Sequence, residues 1–184
     1  LEFCQILLRF FQEIEFLFRK NLSKKFPNHG VIGEEYGSEN LKSEFIWVID
    51  PLDGTHSFIS GKPLFGTLIS CLKNYEPIIG VIDIPILNHR WYGGKNVGVY
   101  FNKKRCSKIK CKKMIKDSII SSTSPLMFNK NDQKKIVKIY NDSRFPIFGA
   151  DCYAYVLLLL GKIDLIIEAN LKPWDYMAQF PLIR

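Results

Sequence analysis

The sequence of 184 residues contains no apolar run long enough to cross a lipid bilayer. Uncharged stretches such as residues 152–161 are much shorter than the ~20 consecutive apolar residues that a membrane helix requires. Residues 1–18 are rich in apolar side chains, but charged residues interrupt them, and they lack the basic start and small-residue cleavage site of a signal peptide. We therefore expect no membrane partner and a packed helix over residues 1–18.

Cysteine is too sparse and too scattered for a disulfide framework. The five cysteines are odd in number, which is typical of free thiols in a reducing compartment. Cys106 and Cys111 lie near each other, but no second pair of Cys or His residues follows to complete a tetrahedral zinc site. The pattern therefore predicts a cytoplasmic protein without zinc at these two residues.

Acidic residues are outnumbered by basic ones, and the formal net charge is +8. The densest basic run is residues 103–113, which could form a nucleic-acid-binding patch. No nucleic-acid-binding motif accompanies the run, and a solvated loop or strand pair in a lysine-rich chain is the simpler interpretation. We therefore expect no nucleic-acid partner.

Hydrophobic spacing predicts a mixed α and β chain in its first half. Apolar residues recur at helical spacing over residues 1–26, before a cluster of helix breakers. A buried strand is predicted at residues 45–49 and is expected to stop at Asp50. Residues 66–72 and 77–84 have the pattern of an antiparallel meander. Two further short strands are expected at residues 91–94 and 97–101.

The second half has alternating strand and helix patterns. Helices are expected at residues 130–140 and 153–160, and a last helix opens at Pro173-Trp174-Asp175. The predicted strands of this half begin at about residue 116, at residues 145–148 and at residues 163–169. We predict a single domain over residues 1–184, with a soft boundary near residue 115.

The residues best suited to chemistry follow the strand at 45–49. Asp50 lies at the end of that strand, and a turn fixed by Pro51 is expected to bring Asp53 back towards it. Two carboxylates at one point suit Mg²⁺, which prefers oxygen ligands, and the Leu52 carbonyl could add another oxygen. This segment therefore predicts a magnesium site.

A phosphate site is predicted immediately after these acids. Gly54 would let the backbone approach a ligand closely, and Thr55 precedes a short helix expected at residues 56–60, whose free N–H groups suit an anion. An ordinary surface turn with Asp50 as a cap is the competing interpretation. Glu34 and Asp175 are two further acids. Neither predicts a binding site on its own, since such residues are usually solvated or cap helices.

The ordered segments Gly33-Glu34-Glu35, residues 47–55 and Trp174-Asp175 resemble the inositol-monophosphatase superfamily. The resemblance implies an α+β fold, a layered αβαβα sandwich of the inositol-monophosphatase/fructose-bisphosphatase type. It also implies a Mg²⁺-dependent phosphomonoesterase that binds a small phosphorylated substrate and forms a homodimer.

The resemblance assigns roles to individual residues. One Mg²⁺ would be held by Glu34, Asp50 and the Leu52 carbonyl, and a second by Asp50, Asp53 and Asp175. Glu34 and Thr55 would orient the attacking water, while Gly54 and Thr55 would hold the phosphate.

Within the superfamily the chain looks most similar to the histidinol-phosphatase branch, in residues 83–91, 121–125, 149–153 and 171–175. Asp151 and Glu168 would then face the leaving group, where two acids suit the ammonium and imidazole groups of histidinol. Asp151 could alternatively be the N-cap of the helix at residues 153–160. Inositol-1-monophosphatase activity is the alternative function.

The chain departs from the family pattern in two respects. Family members usually place an Asp that helps to bind a third Mg²⁺ on the first helix, where this chain has Phe11. The chain is also expected to be truncated at both ends, because family members continue through further strands and helices. A degenerate, non-catalytic fragment of such an enzyme is therefore a second alternative.

Overall fold

The computed structural model describes residues 2–107 and 114–183, and of residues 2–7 it describes the backbone alone. The α-helices of these regions are α1 Glu2–Lys25, α2 Thr55–Ile59, α3 Lys130–Asp142, α4 Tyr153–Leu159, α5 Pro173–Tyr176 and α6 Phe180–Ile183. The strands are β1 Gly30–Gly33, β2 Gly37–Glu39, β3 Phe45–Asp53, β4 Gly66–Lys73, β5 Glu76–Ile84, β6 His89–Gly94, β7 Gly98–Phe101, β8 Lys104–Arg105, β9 Ile119–Ser122, β10 Phe145–Phe148 and β11 Leu165–Ile166. Short 3₁₀ helices lie at Pro85–Leu87, Ile115–Asp117 and Pro125–Met127.

Eight strands form the larger sheet, in the order β2-β1-β3-β4-β5-β6-β7-β8. β1 and β3 are parallel, while β3 to β8 pair antiparallel with their neighbours in chain order. The predicted meander is therefore confirmed. Because side chains alternate across a strand, each strand of this sheet can bury one set of residues on either face.

Helix α1 covers one face of the larger sheet. Leu22 of α1 is buried with Val31 and Ile49, and Phe18 packs beside them. The Phe18 ring also meets the edge of the Trp47 ring, with ring centroids 6.2 Å apart. The helical spacing predicted for this segment thus produces an apolar stripe that faces the odd-numbered residues of β3.

The opposite face of the larger sheet is covered by α4, α5 and α6. Even-numbered sheet residues such as Leu68 and Ile82 are buried against Val156 of α4 and Leu182 of α6. Trp174 of α5 packs farther along the same face, on the apolar cluster centred on β3 and β4. This face carries Asp50, so the same packing determines the surroundings of the candidate site.

A second sheet completes the architecture. Its three strands are parallel, in the order β10-β9-β11. Ala154 of α4 is buried with residues of this sheet, and α3 lies beyond it, with Tyr140 edge-to-face on Phe148 at 5.2 Å. The layers run α1, larger sheet, α4 to α6, smaller sheet and α3, which confirms the predicted layered αβαβα fold.

Three predicted strand boundaries were wrong. The strand expected to begin at about residue 116 begins at Ile119, because Ile115–Asp117 form a 3₁₀ helix. The strand that was expected to stop at Asp50 continues to Asp53, because Asp53 again pairs with Gly66 of β4 after a shift in register. The strand predicted at residues 163–169 is limited to Leu165–Ile166. Ile167 still donates a backbone hydrogen bond to β9, but the chain then leaves the sheet.

Candidate active site

The carboxyl end of β3 carries the first two carboxylates of the site. Asp50 is only 2% exposed, and its Oδ1 accepts a 2.8 Å hydrogen bond from the backbone N–H of Leu52. The β3–β4 register shifts between Asp50 and Asp53, so Pro51 and Leu52 form an irregularity that redirects the following side chain. The Thr67 hydroxyl donates to the Pro51 carbonyl at 2.9 Å and stabilises this irregularity.

Helix α5 supplies the third carboxylate. Trp174 anchors this short helix on the sheet, and Asp175 Oδ2 accepts a 2.7 Å hydrogen bond from the backbone N–H of Lys172. One oxygen from each of Asp50, Asp53 and Asp175 lies within 4.8 Å of the others. Two acids of one strand and a third that is distant in the sequence thus share one point.

The turn after β1 supplies a fourth acid, Glu34. Since β1 runs parallel to β3, the carboxyl ends of both strands meet at the same edge of the sheet. The Glu34 and Asp50 carboxyl groups lie close enough to influence each other's pKa, and Glu34 is exposed. The four acids predicted as metal ligands are therefore neighbours.

Every one of these carboxyl groups has a raised pKa. Burial is the largest cause for Asp53, whose pKa rises to about 7, with the charges of Asp151 and Asp175 adding to it. Burial and the charges of Asp53 and Glu34 raise the pKa of Asp50 well above its usual range. The pKa values of Glu34 and Asp175 are raised chiefly by desolvation.

Clustered carboxylates with raised pKa values favour a bound cation, which would offset their mutual repulsion. The donor set consists of hard oxygens only, which suits Mg²⁺ better than a thiophilic metal. The Leu52 carbonyl accepts a 3.3 Å hydrogen bond from the Thr55 hydroxyl and keeps a second lone pair that could face a metal. The residues present therefore fit the magnesium that their pattern predicts.

Gly54 is required at its position on two grounds. Its φ angle is 83°, a left-handed conformation that favours glycine. A Cβ at this position would also lie 3.2 Å from the Asp151 Cβ and 3.3 Å from the Phe65 Cα. Thr55 follows as the first residue of α2, one residue earlier than the sequence predicts.

Asp151 lies against this turn and does not cap α4. Its carboxylate accepts a hydrogen bond from the Ser57 hydroxyl, whereas the N-cap residue of α4 is Cys152, without a side-chain cap. The N-cap interpretation was therefore wrong, because the φ angle of 46° at Asp151 accompanies a chain path that directs its carboxylate to α2. The Cys152 backbone N–H donates to Asp53 Oδ2 at 2.7 Å, so the same loop also orients a predicted metal ligand.

Glu168 is held by two hydroxyl groups. Thr123 donates to its Oε1 at 2.5 Å, and Tyr155 donates to its Oε2 at 2.7 Å. Burial, followed by the charge of Glu168 and then those of Asp53 and Asp175, raises the Tyr155 pKa. Tyr155 therefore remains protonated and donates to Glu168, while the charges of Asp53 and Asp175 reach its hydroxyl group.

Phe11 is a packing residue. It is 6% exposed, and its ring meets the edge of the Phe58 ring at 5.8 Å.

In the basic run, residues 103–105 are exposed, and Lys104–Arg105 form the edge strand β8. Residues 108–113, including Cys111, lie outside the described residues. No helix within the described residues is both long and apolar enough to span a membrane.

Several residues at the site were missed by sequence reasoning. Tyr155 was assigned only to an apolar helix, although a hydroxyl group in such a helix needs a buried partner. Glu15 is one of the charged residues that interrupt the apolar residues of the first helix, yet it lies on the stripe formed by Phe11, Phe18 and Leu22, a position that predicts a hydrocarbon side chain. A charged residue on an otherwise apolar stripe was the signal from which Glu15 could have been found.

The sequence of this chain is similar to those of known proteins. The model of the inositol monophosphatase family matches residues 7–184. The bifunctional phosphatase IMPL2, chloroplastic, of Arabidopsis thaliana is 41% identical over 87% of this chain and 46% of its own length. A fructose-1,6-bisphosphatase/inositol-1-monophosphatase of Aquifex aeolicus is 32% identical over 88% of this chain and 62% of its own length. A histidinol-phosphatase of Chlorobaculum parvum is 26% identical over 92% of this chain and 65% of its own length.

Solved structures show the same fold. An inositol monophosphatase from Zymomonas mobilis superposes with a TM-score of 0.83 and 35% identity, over 91% of this chain and 64% of that one. A calcium-bound family protein from Staphylococcus aureus has a TM-score of 0.85 at 20% identity, over 98% of this chain and 70% of that one. The chain thus spans between 46% and 65% of the three relatives named above.

Proposed function

Because this chain belongs to the inositol monophosphatase family, we propose that it is a Mg²⁺-dependent phosphomonoesterase that hydrolyses histidinol phosphate to histidinol and phosphate. The observation that carries the proposal is the convergence of Asp50, Asp53 and Asp175 within 4.8 Å. Glu34 lies beside Asp50, so the cluster has enough acidic oxygens for more than one divalent ion.

The acids divide into two overlapping sets of ligands. Glu34, Asp50 and the Leu52 carbonyl would hold one ion, while Asp50, Asp53 and Asp175 would hold the other. When bound, a pair of Mg²⁺ ions supplies activation of water and neutralises charge on the phosphoryl oxygens and the leaving alkoxide. Asp50 belongs to both sets, in agreement with its central place among the other acids.

Chain residues would handle the water and the phosphate. Glu34 would accept a proton from the attacking water and pass it to solvent, since part of its side chain is exposed. The Thr55 hydroxyl, next to the Leu52 carbonyl, would help to orient that water. Gly54, with its left-handed φ angle, would shape this turn so that its backbone can approach a phosphate oxygen.

Asp151 and Glu168 support a cationic leaving group. A carboxylate has about four acceptor positions, and Thr123 and Tyr155 occupy only two of those on Glu168. The remaining positions could accept hydrogen bonds from the ammonium or imidazole group of histidinol. The similarity to a histidinol-phosphatase agrees with this substrate.

The test is phosphate release from histidinol phosphate and from inositol 1-phosphate, measured with Mg²⁺ and with a chelator. We expect higher kcat/KM for histidinol phosphate and no turnover without the metal. Glu168→Gln should lower kcat/KM for histidinol phosphate by about tenfold, the effect of one charge-assisted hydrogen bond, and change the inositol phosphate reaction less. Glu76→Gln, at an exposed ion pair, is the matched control.

Two outcomes would favour the other candidates. Equal or faster hydrolysis of inositol 1-phosphate would assign that activity instead, as the name of the Aquifex aeolicus relative suggests. Folded protein without any Mg²⁺-stimulated turnover would indicate a non-catalytic member of the family.

We also propose that the protein is cytoplasmic and forms a homodimer. Free thiols support a cytoplasmic location, and among the described residues Cys71, Cys106 and Cys152 are free. Fluorescence microscopy of a tagged chain would test the location. Light scattering of the purified chain would test the expected homodimer.

A further inference from the structure

Glu15 is a fully buried acid that the proposed chemistry does not use. Its exposed fraction is 0%, and it lies in the middle of α1 on the side that faces the sheet. Burial of a carboxylate is strongly unfavourable unless hydrogen bonds and an opposite charge compensate it. Its partners therefore indicate what the residue does.

Those partners belong to the turn that carries Glu34. Glu15 Oε2 accepts a 2.8 Å hydrogen bond from the backbone N–H of Glu35, and Oε1 accepts one of 3.2 Å from Tyr36. Arg19 donates to Glu15 Oε1 at 2.8 Å from Nε and also donates to the Gly37 carbonyl at 2.6 Å. One ion pair on α1 thus binds three successive residues of the turn.

Gly33 allows the carboxylate to reach this position. A Cβ at Gly33 would lie 2.0 Å from Glu15 Oε1, so a side chain at position 33 would displace the Glu15 carboxylate. Glu15 therefore contacts the chain just before Glu34 as well as the two amides just after it. The backbone on either side of Glu34 is held by the same carboxylate.

We propose that Glu15, held in place by Arg19, is a positioning residue that fixes the turn of residues 33–36 so that Glu34 can bind metal beside Asp50. The inference rests on the proposed function for the metal role of Glu34. It adds a requirement for a charged group on α1, remote from the metal ligands in the sequence.

A carboxylate is needed here because donors surround both of its oxygens. The amide of a Gln could accept hydrogen bonds at one side only, and its NH₂ group would face either the Glu35 N–H or the Tyr36 N–H. A Gln at position 15 would therefore release one side of the turn. Arg19, whose side chain is 11% exposed, would also lose this charged partner and keep its ion pair with Glu39.

The experiment measures Mg²⁺ binding directly, by calorimetry and by the Mg²⁺-induced rise in unfolding temperature. Glu15→Gln should weaken Mg²⁺ binding by about tenfold or more, as is typical when residues that orient metal ligands are removed. Glu13→Gln removes an exposed charge from the same helix and should leave the affinity within twofold of the wild type.

Two further variants separate positioning from general stability. Arg19→Lys keeps a cation beside Glu15 and leaves both amide contacts, so it should lower the unfolding temperature while Mg²⁺ affinity changes less than threefold. Glu15→Asp keeps the charge but withdraws the oxygens from the amides; it should weaken Mg²⁺ binding and replaces Glu15→Gln if the latter does not fold.

The outcomes distinguish this inference from the proposed function. A wild-type chain that does not bind Mg²⁺ would overturn the proposed function and the metal role of Glu34 with it. Wild-type binding with unchanged affinity in both Glu15 variants would overturn the positioning role alone. Equal weakening by Arg19→Lys and Glu15→Gln would assign the effect to lost stability and also overturn the positioning role.

Discussion

Replacing Asp53 with Asn should stabilise the metal-free protein at pH 8 and remove most of its response to Mg²⁺. In the folded protein the Asp53 pKa is about 7, raised chiefly by burial from the ordinary value of 3.8. Between these two pH values the unfolded chain has lost the proton that the folded chain still binds. The free energy of unfolding therefore falls as pH rises through this window.

The size of the effect follows from the difference of about three pKa units. At 1.36 kcal/mol per unit, the free energy of unfolding lost through Asp53 by pH 8 is at most about 4 kcal/mol. Asn cannot ionise, and its amide oxygen can still accept the 2.7 Å hydrogen bond from the Cys152 N–H. Asp53→Asn should thus avoid the loss of unfolding free energy at pH 8 and retain the hydrogen bond from the Cys152 N–H.

The assay is urea unfolding followed by circular dichroism at pH 5 and pH 8, in chelator and in Mg²⁺. For the wild type at pH 8, Mg²⁺ at 100 times its Kd should add about 2.7 kcal/mol; Asp53→Asn should gain much less. Asp142→Asn, an exposed change at the end of α3, is the matched control. The reasoning would be refuted if Asp53→Asn in chelator were as pH-dependent as the wild type and responded equally to Mg²⁺.

Two further substitutions test the supports of the site. Trp174 is partly buried, so Trp174→Ala should lower the free energy of unfolding by about 2 kcal/mol through lost apolar packing. It should also weaken Mg²⁺ binding, because α5 carries Asp175. Urea unfolding and calorimetry measure these effects. Gly54→Ala should cost about 1–3 kcal/mol through its left-handed φ angle and should raise KM for the phosphate ester, whereas an unchanged KM would argue against close approach of the phosphate.

The helices and central strands were predictable because local spacing determines them. The helical stripe of α1 and the alternation of β3 to β5 can be read from neighbouring residues. The association of Asp50 with the strand that starts at Phe45 follows in the same way. The end of β3 itself was misjudged, since pairing of Asp53 with Gly66 continues the strand past Pro51, and such pairing depends on another segment.

The parts that were missed depend on contacts between distant residues. Thr123 and Glu168 are 45 residues apart, and spacing alone does not indicate that β9 and the chain after β11 meet. The left-handed backbone of Asp151 was equally hidden, because an Asp before a helix usually caps it. Glu15 was recognisable as a conflict with its apolar stripe, but its partners in the turn of Glu34 required the folded chain.

The central claim is that Glu34 in the turn after β1 and the acids of β3 and α5 bind divalent metal. The most direct measurement is anomalous X-ray diffraction from crystals of this chain soaked in Mn²⁺, which has the same preference for oxygen ligands as Mg²⁺. We expect two peaks, both in contact with Asp50, of which one also contacts Glu34 and the other contacts Asp53 and Asp175. Full occupancy of Mn²⁺ elsewhere, with no peak among these acids, would contradict the account.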